Sequence, residues 1–515
     1  MTRTPDEVHV AFLRGPLVFR DRGINNEATP SVGLAYLLGA ARGHGYRATL
    51  LDPIAEGLNQ TWSHPDFPGF ACQGLRIPAI LDRIPADIDL IAFSLMFSGE
   101  WPVQRHLLRD IRARFPGVPI IVGGEHISAL TEYTLRDCPA VTLAAVGEGE
   151  ETLLEILERV RSGQPLEGIP GTCRVGADGA FIAEPPRARV RDIDRLAWPR
   201  WEEGYLERFW SAGKSFGVQT ERDMPIVSSR GCPFQCTFCS NPRMWTTRYN
   251  LRDIDDLVAE IKSYIARYGI TSLQFYDLTA ITKKKWTIAF CRRLLDEGIR
   301  LRWSLPSGTR SEALDDETLP LMQEAGCSYL VYAPESGSAR ILERIKKKIS
   351  LDKLTHSILT ARRLGIVVRA NLIIGFPGET RADVLRTILY GMKLSILGVD
   401  EVPINLYSSY PGSELFQELM DAGEVTLDDA YFLSLTSLNS DFTALNPMTK
   451  NGRMGPRELA LYRLLAMLFN YGIGYLLHLP RIVRTVRNVF GSGTEAATVL
   501  EHRLKDAMRR KRADG

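Results

Sequence analysis

The sequence predicts an α/β protein in which a doubly wound parallel sheet is followed by a partial (β/α)6 barrel and a C-terminal helical region. Two series of short apolar runs alternate with helical patterns, over residues 8–161 and again over residues 226–422, and such alternation is typical of parallel sheets. A chain of 515 residues has room for about three domains of roughly 100 to 200 residues each. We place the first sheet in residues 1–162, a connector in 163–224, the barrel in 225–435 and the helical region in 436–515.

Composition excludes several classes of protein. The net charge of +2 and the 45% apolar content describe a globular chain without the basic surplus of nucleic-acid-binding proteins. Eight cysteines are too few for a disulfide scaffold in a chain of this length, and the first residues lack the apolar core of a signal peptide. We therefore expect a cytoplasmic protein with no nucleic-acid partner.

The first sheet is defined by five strand-like runs, at residues 8–13, 48–51, 89–93, 119–122 and 141–145. Ligands of doubly wound sheets bind beyond the carboxyl ends of the strands. The residues at these ends include Ser94, Gly123, Gly124, Glu125, Gly147 and Glu148. Paired glycines let a backbone approach a ligand closely, although glycine is also an ordinary turn former.

Four segments of this region occur in a characteristic order: Pro30-Ser-Val-Gly-Leu-Ala-Tyr-Leu-Leu, Gly45-Tyr-Arg-Ala-Thr-Leu-Leu-Asp52, Gly123-Gly-Glu-His126 and Val146-Gly-Glu-Gly-Glu150. That order resembles the cobalamin-binding domain that precedes many radical SAM domains, and the resemblance implies cobalamin contacts from the six strand-end residues above. Cobalamin domains that supply an axial histidine carry a DxHxxG loop after the first strand, whereas this chain has Arg14-Gly-Pro-Leu-Val-Phe19. We therefore expect no histidine ligand from that loop. A vestigial domain that binds no cobalamin is the alternative.

The connector begins with turn formers and prolines, concentrated in residues 161–186, which indicate a domain boundary. Aromatic residues follow at irregular spacing, namely Trp198, Trp201, Tyr205, Phe209 and Trp210. They either pack the connector against the barrel or line a space for substrate or cofactor.

The barrel is predicted from six further runs, at residues 226–229, 272–276, 301–305, 329–333, 367–374 and 402–407. Directly after the first run, Cys232, Cys236 and Cys239 stand in a CxxxCxxC spacing. Thiolates suit zinc or iron–sulfur clusters, and structural zinc sites close with a fourth Cys or His. The next cysteine is Cys291 and the nearest downstream histidine is His356. The spacing therefore favours a [4Fe–4S] cluster with one open iron over a zinc knuckle or three structural cysteines.

Further landmarks accompany this motif, and together they resemble radical SAM enzymes: Cys232-Pro-Phe-Gln-Cys-Thr-Phe-Cys239, Phe275-Tyr-Asp-Leu-Thr279, Ala325-Gly-Cys327, Pro334-Glu-Ser-Gly-Ser338 and Ile373-Ile-Gly-Phe-Pro-Gly-Glu379. The resemblance implies that the cysteines bind three irons and that the amine and carboxylate of S-adenosylmethionine (SAM) chelate the fourth. It also implies SAM contacts from Phe238, Asp277, Glu335, Ser336, Gly375, Asn405 and Tyr407.

Several of these residues also have structural interpretations that the sequence leaves open. Asp277 is also suited to holding a turn, and Gly375 to turning the chain after its strand. Glu335 is suited to pairing with a barrel arginine such as Arg310 or Arg369.

The C-terminal region is dense in apolar residues over 457–487, with interruptions at Arg463, Asn470, Gly472 and His478. A spanning helix needs about 20 mostly apolar residues, so these interruptions argue against a crossing. Three arginines at three-residue spacing in 481–487 predict either an interfacial helix at a membrane or a helix that caps the barrel. Residues 503–512 are predicted to form a frayed basic tail.

Taken together, the resemblances imply a cobalamin-dependent radical SAM enzyme with a [4Fe–4S] cluster, SAM and cobalamin as cofactors. We expect it to methylate an unactivated carbon of a hydrophobic or biosynthetic small molecule, flat or lipidic in character. Radical oxidation or ring formation, as in the anaerobic cyclases of the porphyrin pathway, is the rival, and a non-catalytic metal-stabilised binding module is the alternative of another class. The expected partners are an electron donor such as flavodoxin or ferredoxin and, through the C-terminal helices, the membrane surface.

Overall fold

The computed structural model describes residues 3–21, 23, 28–218, 220–436, 449–491 and 495–513. Within these residues the chain forms two parallel sheets with helices packed on them and a helical C-terminal region, which confirms the predicted α/β class. The boundary predicted at residues 435 and 436 adjoins residues 437–448, which lie outside the described part.

The N-terminal strands are β1 (His9–Arg14), β2 (Leu17–Arg20), β3 (Arg47–Leu51), β4 (Thr61–Ser63), β5 (Phe70–Gln73), β6 (Leu90–Ser94), β7 (Ile120–Gly123), β8 (Leu143–Ala145), β9 (Thr172–Val175) and β10 (Phe181–Ala183). Seven of the described strands form one sheet in the order β10-β9-β8-β7-β6-β1-β3. The five predicted strands β1, β3, β6, β7 and β8 run parallel. Their strand order reverses between β1 and β6, and such switch points are where doubly wound sheets bind ligands.

The helices around this sheet are α1 (Val32–Gly43), α2 (Pro53–Glu56), α3 (Ile77–Leu81), α4 (Trp101–Arg114), α5 (Glu125–Asp137) and α6 (Glu150–Ser162). Helix α6 shows how the sequence sets a boundary, because it ends at Gly163 in the left-handed conformation, with φ of +65°. Two pieces were not predicted: β2, β5 and β4 form a small antiparallel sheet, and β9 and β10 extend the main sheet.

The predicted connector is therefore more structured than its turn formers suggested. Its strands β9 and β10 pair antiparallel at the edge of the first sheet, where prolines that follow β10 disturb no ladder. Helix α7 (Tyr205–Ala212) comes next. Trp201, Tyr205 and Phe209 are buried in a core shared by both sheets, which supports the packing interpretation of these aromatic residues.

The remaining strands are β11 (Asp223–Ile226), β12 (Ser229–Arg230), β13 (Asn250–Leu251), β14 (Ser272–Phe275), β15 (Arg302–Thr309), β16 (Cys327–Glu335), β17 (Val367–Ile374) and β18 (Ile404–Leu406). Six of these strands form a parallel sheet in the order β11-β14-β15-β16-β17-β18, and β11 does not pair with β18 among the described residues. The sheet is the open, partial barrel that the six apolar runs predicted. Strands β12 and β13 form a separate pair beside it.

The helices of the barrel are α8 (Asn241–Met244), α9 (Ile254–Tyr268), α10 (Lys284–Asp296), α11 (Thr318–Glu324), α12 (Ala339–Arg344), α13 (Leu351–Arg363), α14 (Arg381–Ile396) and α15 (Glu414–Asp421). Helix α9 illustrates the local signals: the carboxylate of Asp253 accepts the first backbone N–H groups, and Gly269 ends the helix with φ of +58°. Buried Phe12 of β1 and Leu273 of β14 belong to one apolar cluster, so the two sheets share a core.

Four helices complete the chain: α16 (Asp429–Ser434), α17 (Pro456–Leu477), α18 (Pro480–Phe490) and α19 (Val499–Ala513). Helix α17 packs along α14 and the free edge at β18. Helix α19 covers the amino ends of the barrel strands, where the backbone N–H groups of Val499 and Leu500 donate to Glu401 at 3.0 and 2.8 Å. The prediction of a frayed tail at residues 503–512 is wrong, because these residues continue α19.

Candidate functional site

The three cysteines lie on one loop at the carboxyl end of the first barrel strand. The chain turns into this loop at Gly231, where φ is +92° and a Cβ atom would lie 2.0 Å from the carbonyl oxygen of Arg248. Only glycine fits this turn without a backbone shift. Cys232, Cys236 and Cys239 follow as partly exposed free thiols. The loop therefore presents three sulfur atoms at the edge where parallel barrels bind their ligands.

Backbone hydrogen bonds fix the middle of this loop. The N–H of Thr237 donates to the carbonyl of Ile345 at 3.1 Å, and the N–H of Leu415 donates to the carbonyl of Thr237 at 2.9 Å. The N–H of Cys239 donates to the carbonyl of Cys236 at 3.1 Å. Two distant segments of the barrel thus position the second and third cysteines.

The number of thiols distinguishes a structural zinc site from a cluster. A structural zinc ion takes four Cys or His ligands in tetrahedral geometry. The loop offers three free thiols, those of Cys232, Cys236 and Cys239. A [4Fe–4S] cluster can take three thiolates on separate irons and leave the fourth iron open, so the loop fits a cluster.

Two basic side chains influence the charge of the thiols. Burial raises the pKa of all three thiols, that of Cys239 to about 12, whereas Lys347 and Arg310 act to lower the pKa of the other two. The Arg310 guanidinium carbon also lies 3.6 Å from the ring centroid of Phe234 in the loop. These cations favour the anionic sulfur that iron requires.

Asp277, a predicted SAM contact, is engaged with the segment that leads into the cysteine loop. Its Oδ1 accepts the hydroxyls of Ser228 at 2.8 Å and Ser229 at 2.5 Å, and its Oδ2 accepts the N–H of Ser228 at 3.0 Å. Burial raises the pKa of this carboxyl, and the serine donors oppose the rise. These contacts match the turn-holding interpretation, and contact with the SAM amine stays a prediction.

Glu335 pairs with Lys347, so the suggested pairing with Arg310 or Arg369 is wrong. The Lys347 Nζ lies 3.0 Å from the Glu335 Oε1, and both side chains are buried. Arg369 instead lies 3.7 Å from Glu401 at the opposite end of the barrel. Glu335 has φ of +64°, and non-glycine residues in this region cost on the order of 1–3 kcal/mol and cluster at functional sites.

An aromatic row connects the cysteine loop with the last two barrel strands. The ring of Phe238 lies 5.7 Å from that of Phe376, which lies 5.3 Å from that of Tyr407. Burial raises the pKa of the Tyr407 hydroxyl. The row gives Phe238 and Tyr407 a packing role beside the predicted SAM contact.

Gly375 turns the chain directly after β17, with φ of +93°. Its N–H donates to the Glu379 Oε2 at 2.5 Å, and a Cβ atom at Gly375 would lie 2.9 Å from the Thr449 Cγ2. Burial raises the pKa of Glu379 to about 7, against the backbone donors that lower it. Among the described residues the Glu379 Oε1 is buried without a hydrogen-bond partner.

The two remaining predicted SAM residues differ in their surroundings. The hydroxyl of Ser336 lies 3.0 Å from that of Thr387 and accepts the N–H of Ser338 at 3.1 Å, so it is already engaged within the protein. Asn405 pairs in register with Ile373, on the partly exposed side of β17. Asn405 is therefore the better placed of the two for contact with a ligand inside the barrel.

The carboxyl edge of the first sheet brings the predicted cobalamin residues together. Ser94 and Gly123 are neighbours in register on β6 and β7. At Gly124, φ is +119° and a Cβ atom would lie 2.4 Å from the carbonyl oxygen of Leu95, so no side chain fits. Gly147 has φ of +88° with nothing within 4 Å of its Cβ direction. The edge thus combines a tight backbone crossing with open space.

Side chains at this edge fit a large macrocycle with an amide rim. Met96 and Phe97 follow β6 and are 38% and 57% exposed. The Gln104 Oε1 is buried and, among the described residues, lacks a hydrogen-bond donor; a Cβ atom at Gly15 would lie 1.6 Å from it. Apolar surface and an unused acceptor suit the ring and the side-chain amides of cobalamin.

His126, the histidine within the predicted cobalamin motifs, is a core residue. Its ring stacks on Trp101 at 5.0 Å, and its nitrogens lie 3.0 and 3.1 Å from the hydroxyls of Ser98 and Thr134. Burial lowers its pKa to about 3, so the ring is neutral and already engaged. Arg14, the last residue of β1, is held by Asp52 at 2.7 Å.

Two polar bridges join this edge to the cysteine loop. The hydroxyl of Ser240, directly after the third cysteine, donates to Glu125. Arg230, two residues before the first cysteine, lies 2.5 Å from Glu150 and 3.4 Å from Glu148, with all three side chains at most 8% exposed. Glu125 and Glu148, predicted as cobalamin contacts, therefore use their carboxylates between the two sheets.

Comparison with known proteins agrees with both halves of this site. Residues 226–391 match the radical SAM superfamily, and residues 26–157 match the B12 binding domain. The chain is a cobalamin-binding radical SAM enzyme. Its cofactors are a [4Fe–4S] cluster, SAM and cobalamin.

Relatives of this radical SAM enzyme span most of its length. An uncharacterised methyltransferase of Pyrococcus horikoshii is 28% identical over 82% of this chain and 83% of its own. An anaerobic magnesium-protoporphyrin IX monomethyl ester cyclase of Rubrivivax gelatinosus is 27% identical over 77% of this chain and 67% of its own. The radical SAM methyltransferase TsrM of Kitasatospora setae, solved with cobalamin and a [4Fe–4S] cluster, shares the fold with a TM-score of 0.66, 16% identity and coverage of 100% and 99%.

Sequence reasoning missed the contacts that four polar or charged residues make around the cysteine loop of this radical SAM enzyme. Arg230 and Ser240 flank the cysteine motif directly, and this adjacency was the available signal. Arg310 and Lys347 reach the loop from distant segments, and only the fold brings them there.

Proposed function

We propose that the protein cleaves SAM at the cysteine loop and, with cobalamin, methylates an unactivated carbon of a hydrophobic or biosynthetic small molecule. When bound, SAM supplies the radical that removes hydrogen, and cobalamin supplies the methyl group. The observation that carries this proposal is the direct contact between the two cofactor edges, through Ser240 with Glu125 and Arg230 with Glu150. A substrate held between these edges would face both cofactors.

The chain's own groups have separate tasks in this proposal. The thiols of Cys232, Cys236 and Cys239 would hold the irons, and Lys347 supplies positive charge beside them. Asp277 fixes the entry to the loop through Ser228 and Ser229. Placement, exclusion of water and orientation are what a protein contributes to cofactor chemistry.

The SAM and cobalamin contacts remain parts of the proposal. SAM would be approached by Phe238, Asp277, Glu335, Ser336, Gly375, Asn405 and Tyr407. Cobalamin would be approached by Ser94, Gly123, Gly124, Glu125, Gly147 and Glu148. Because Ser336, Glu125 and Glu148 are engaged with protein groups, they would use their backbone atoms.

Radical oxidation or ring formation is the second candidate, and the similarity to the Rubrivivax cyclase favours it. The two reactions differ in how SAM is consumed. Methylation forms S-adenosylhomocysteine together with 5′-deoxyadenosine, whereas the rival forms 5′-deoxyadenosine without S-adenosylhomocysteine.

The test is an anaerobic reconstitution of the full chain with iron, sulfide, cobalamin, SAM and a chemical reductant. Wild type should show iron–sulfur absorption near 400 nm, retain cobalamin and release 5′-deoxyadenosine. Replacing Cys232, Cys236 and Cys239 by Ala should abolish cluster absorption and SAM cleavage but leave cobalamin retention, because the cobalamin edge belongs to the other sheet. Cys173→Ala, which removes a thiol from β9 in the first sheet, is the matched control. Wild type without cluster or SAM cleavage would instead support the non-catalytic binding module.

The partners follow from the position of the loop. Pro233 and Gln235 are exposed, so the cysteine loop reaches the protein surface. This exposure suits electron delivery by a protein such as flavodoxin or ferredoxin, and no nucleic acid is required. A cytoplasmic location fits this proposal, because reduced iron–sulfur clusters need a reducing environment.

A further inference from the structure

The outward sides of α14, α17 and α18 are apolar. Apart from Met96, Phe97 and Leu278, every exposed large apolar side chain among the described residues lies on these helices or on the turn between α17 and α18. Leu468 is 61% exposed and Phe490 is 70% exposed. Monomeric proteins rarely expose contiguous apolar patches of such extent without an interaction partner. We call this surface the apolar face.

The three helices form one continuous surface. Helix α17 packs along α14. Where α17 ends, the His478 Nε2 lies 3.2 Å from the carbonyl oxygen of Ile396 at the end of α14. Helix α18 then begins, and Arg481 donates to the carbonyl of Val399 at 2.8 Å. These contacts hold the end of α14, the end of α17 and the start of α18 side by side.

The orientation of α18 is opposite to that of an ordinary surface helix. Its Arg484 lies 2.9 Å from Asp400, and its Thr485 donates to Glu501 at 2.8 Å, so its polar side faces the protein. Val483 and Val486 are 69% and 51% exposed, and Val486 also borders a pocket lined by Leu504 and Met508 of α19. A helix in water normally places its apolar stripe against the core. The inverted arrangement therefore requires an apolar environment outside the protein.

The free charges around the apolar face are positive. The acidic side chains on the three helices are Asp383 and Glu458, and these pair with Arg340 and Arg381 respectively. Lys393, Arg457 and Arg487 are exposed basic side chains on the same helices. An apolar face with a basic rim matches interfacial helices that lie on anionic bilayers.

The helices lie on such a surface and do not cross it. Helix α17 has 22 residues, long enough to span, but its Asn470 is buried and donates to the carbonyl of Val402 at 3.0 Å. Withdrawing the helix from the barrel would break this bond and uncover β18. Among the residues described on the apolar face, the exposed apolar side chains are mostly Leu, Ile and Val, with two Phe and no Tyr, Trp or Met, whereas protein interfaces are enriched in Tyr, Trp, Phe, Met and Arg. We propose that the apolar face is a peripheral membrane-binding surface for anionic phospholipid bilayers.

The experiment is co-sedimentation of the reconstituted full chain with vesicles, either of phosphatidylcholine alone or with roughly one third phosphatidylglycerol. Wild type should bind the anionic vesicles, and added salt should weaken binding. The triple variant Leu468→Asp, Val483→Asp and Phe490→Asp should bind about tenfold less or weaker still, because each change removes apolar burial and adds like charge. Its substituted residues are exposed, and circular dichroism should show an unchanged fold.

A matched control carries the same change in charge away from the apolar face. The variant Asn59→Asp, Gln60→Glu and Gln164→Glu changes exposed positions of the first domain and the connector, and it should bind anionic vesicles like wild type. Equal binding by wild type and the apolar-face variant would overturn the proposal. So would a wild-type protein that ignores both vesicle types and forms a dimer by light scattering, with the apolar-face variant monomeric, since the face would then be an interface between two copies. SAM cleavage does not enter this test, so its outcome is independent of the proposed function.

Discussion

The two carboxyl edges that meet at the candidate site are built on different principles. The barrel edge presents side-chain atoms, the thiols of Cys232, Cys236 and Cys239. The edge of the first sheet presents backbone and open space, most clearly at Gly124 and Gly147, while its carboxylates bridge to the barrel. The barrel site is therefore vulnerable to removal of an atom, and the first-sheet site to addition of one.

The largest effect is expected when atoms are added at the carboxyl edge of the first sheet. Gly124→Val should abolish cobalamin retention, because any Cβ there meets the carbonyl oxygen of Leu95 at 2.4 Å and the backbone must shift. Cluster absorption should persist, because the thiols lie on the other sheet. Visible spectra of the reconstituted protein separate the two cofactors.

The control for this change is Gly117→Val, at a turn where a Cβ atom would meet nothing within 4 Å. It should retain cobalamin. A Gly124→Val protein that folds by circular dichroism and holds cobalamin at the wild-type ratio would show that close backbone approach is not what shapes this edge.

A smaller effect is expected where the two edges touch. Arg230→Gln leaves Glu150 buried without its cation, whereas Glu148 keeps Arg189 at 3.5 Å. Loss of one partner of a buried pair costs about 3–5 kcal/mol in free energy of unfolding. The double variant Arg230→Gln with Glu150→Gln should recover part of this loss. Chemical denaturation measures both.

Arg42→Gln is the control for the bridge. Its pair with Glu202 is 37% and 33% exposed, and surface pairs of this kind contribute about 0–1 kcal/mol. Equal losses for Arg42→Gln and Arg230→Gln would mean that the buried bridge has no special part in joining the sheets.

The smallest expected effect concerns Glu379, a barrel-edge carboxyl whose protonation changes with pH. The pKa of Glu379 is raised by burial to about 7, so the folded protein binds a proton that the unfolded chain releases near its ordinary value. Stability from this group is therefore present at low pH and declines as pH rises from about 4.5 to about 7. Wild type should lose on the order of 2 kcal/mol over this interval relative to Glu379→Gln.

Denaturation midpoints at pH 5 and pH 8 test this dependence. Glu343→Gln, at an exposed helical position, should follow wild type at both values. If Glu379→Gln also follows wild type, the carboxyl is charged throughout and its burial is offset by the N–H groups of Gly375 and Phe376.

Local patterns predicted most of the fold. The five parallel strands of the first sheet and the six of the barrel follow apolar runs bounded by turn residues. The hydrophobic period and the length of these runs were therefore sufficient to predict the strands. Strands β9 and β10 were missed because they are short strands at the end of the sheet, among prolines and glycines. Their pairing depends on a neighbouring strand that local sequence does not reveal.

In the candidate site, too, features that are local in sequence could be predicted and contacts between distant segments could not. The cysteine loop could be found because its ligands are close together in sequence. The pairing of Lys347 with Glu335 could not be found, because the two residues are twelve positions apart in sequence. Arg310 and Arg369 were equally suitable partners by residue type. The bridges of Glu125 and Glu148 to the barrel depend on how the two sheets dock, which no local pattern encodes.

Helix α19 has a consequence for how the barrel is made. Val499 packs with Val218, Tyr329 and Val331 at the amino ends of the strands, and buried Lys214 pairs with Asp506 across 292 positions of sequence. During synthesis the barrel strands therefore emerge long before the residues of α19 that cover their amino ends. We expect the nascent barrel to remain loosely closed, and open to chaperones, until residues 499–506 have left the ribosome.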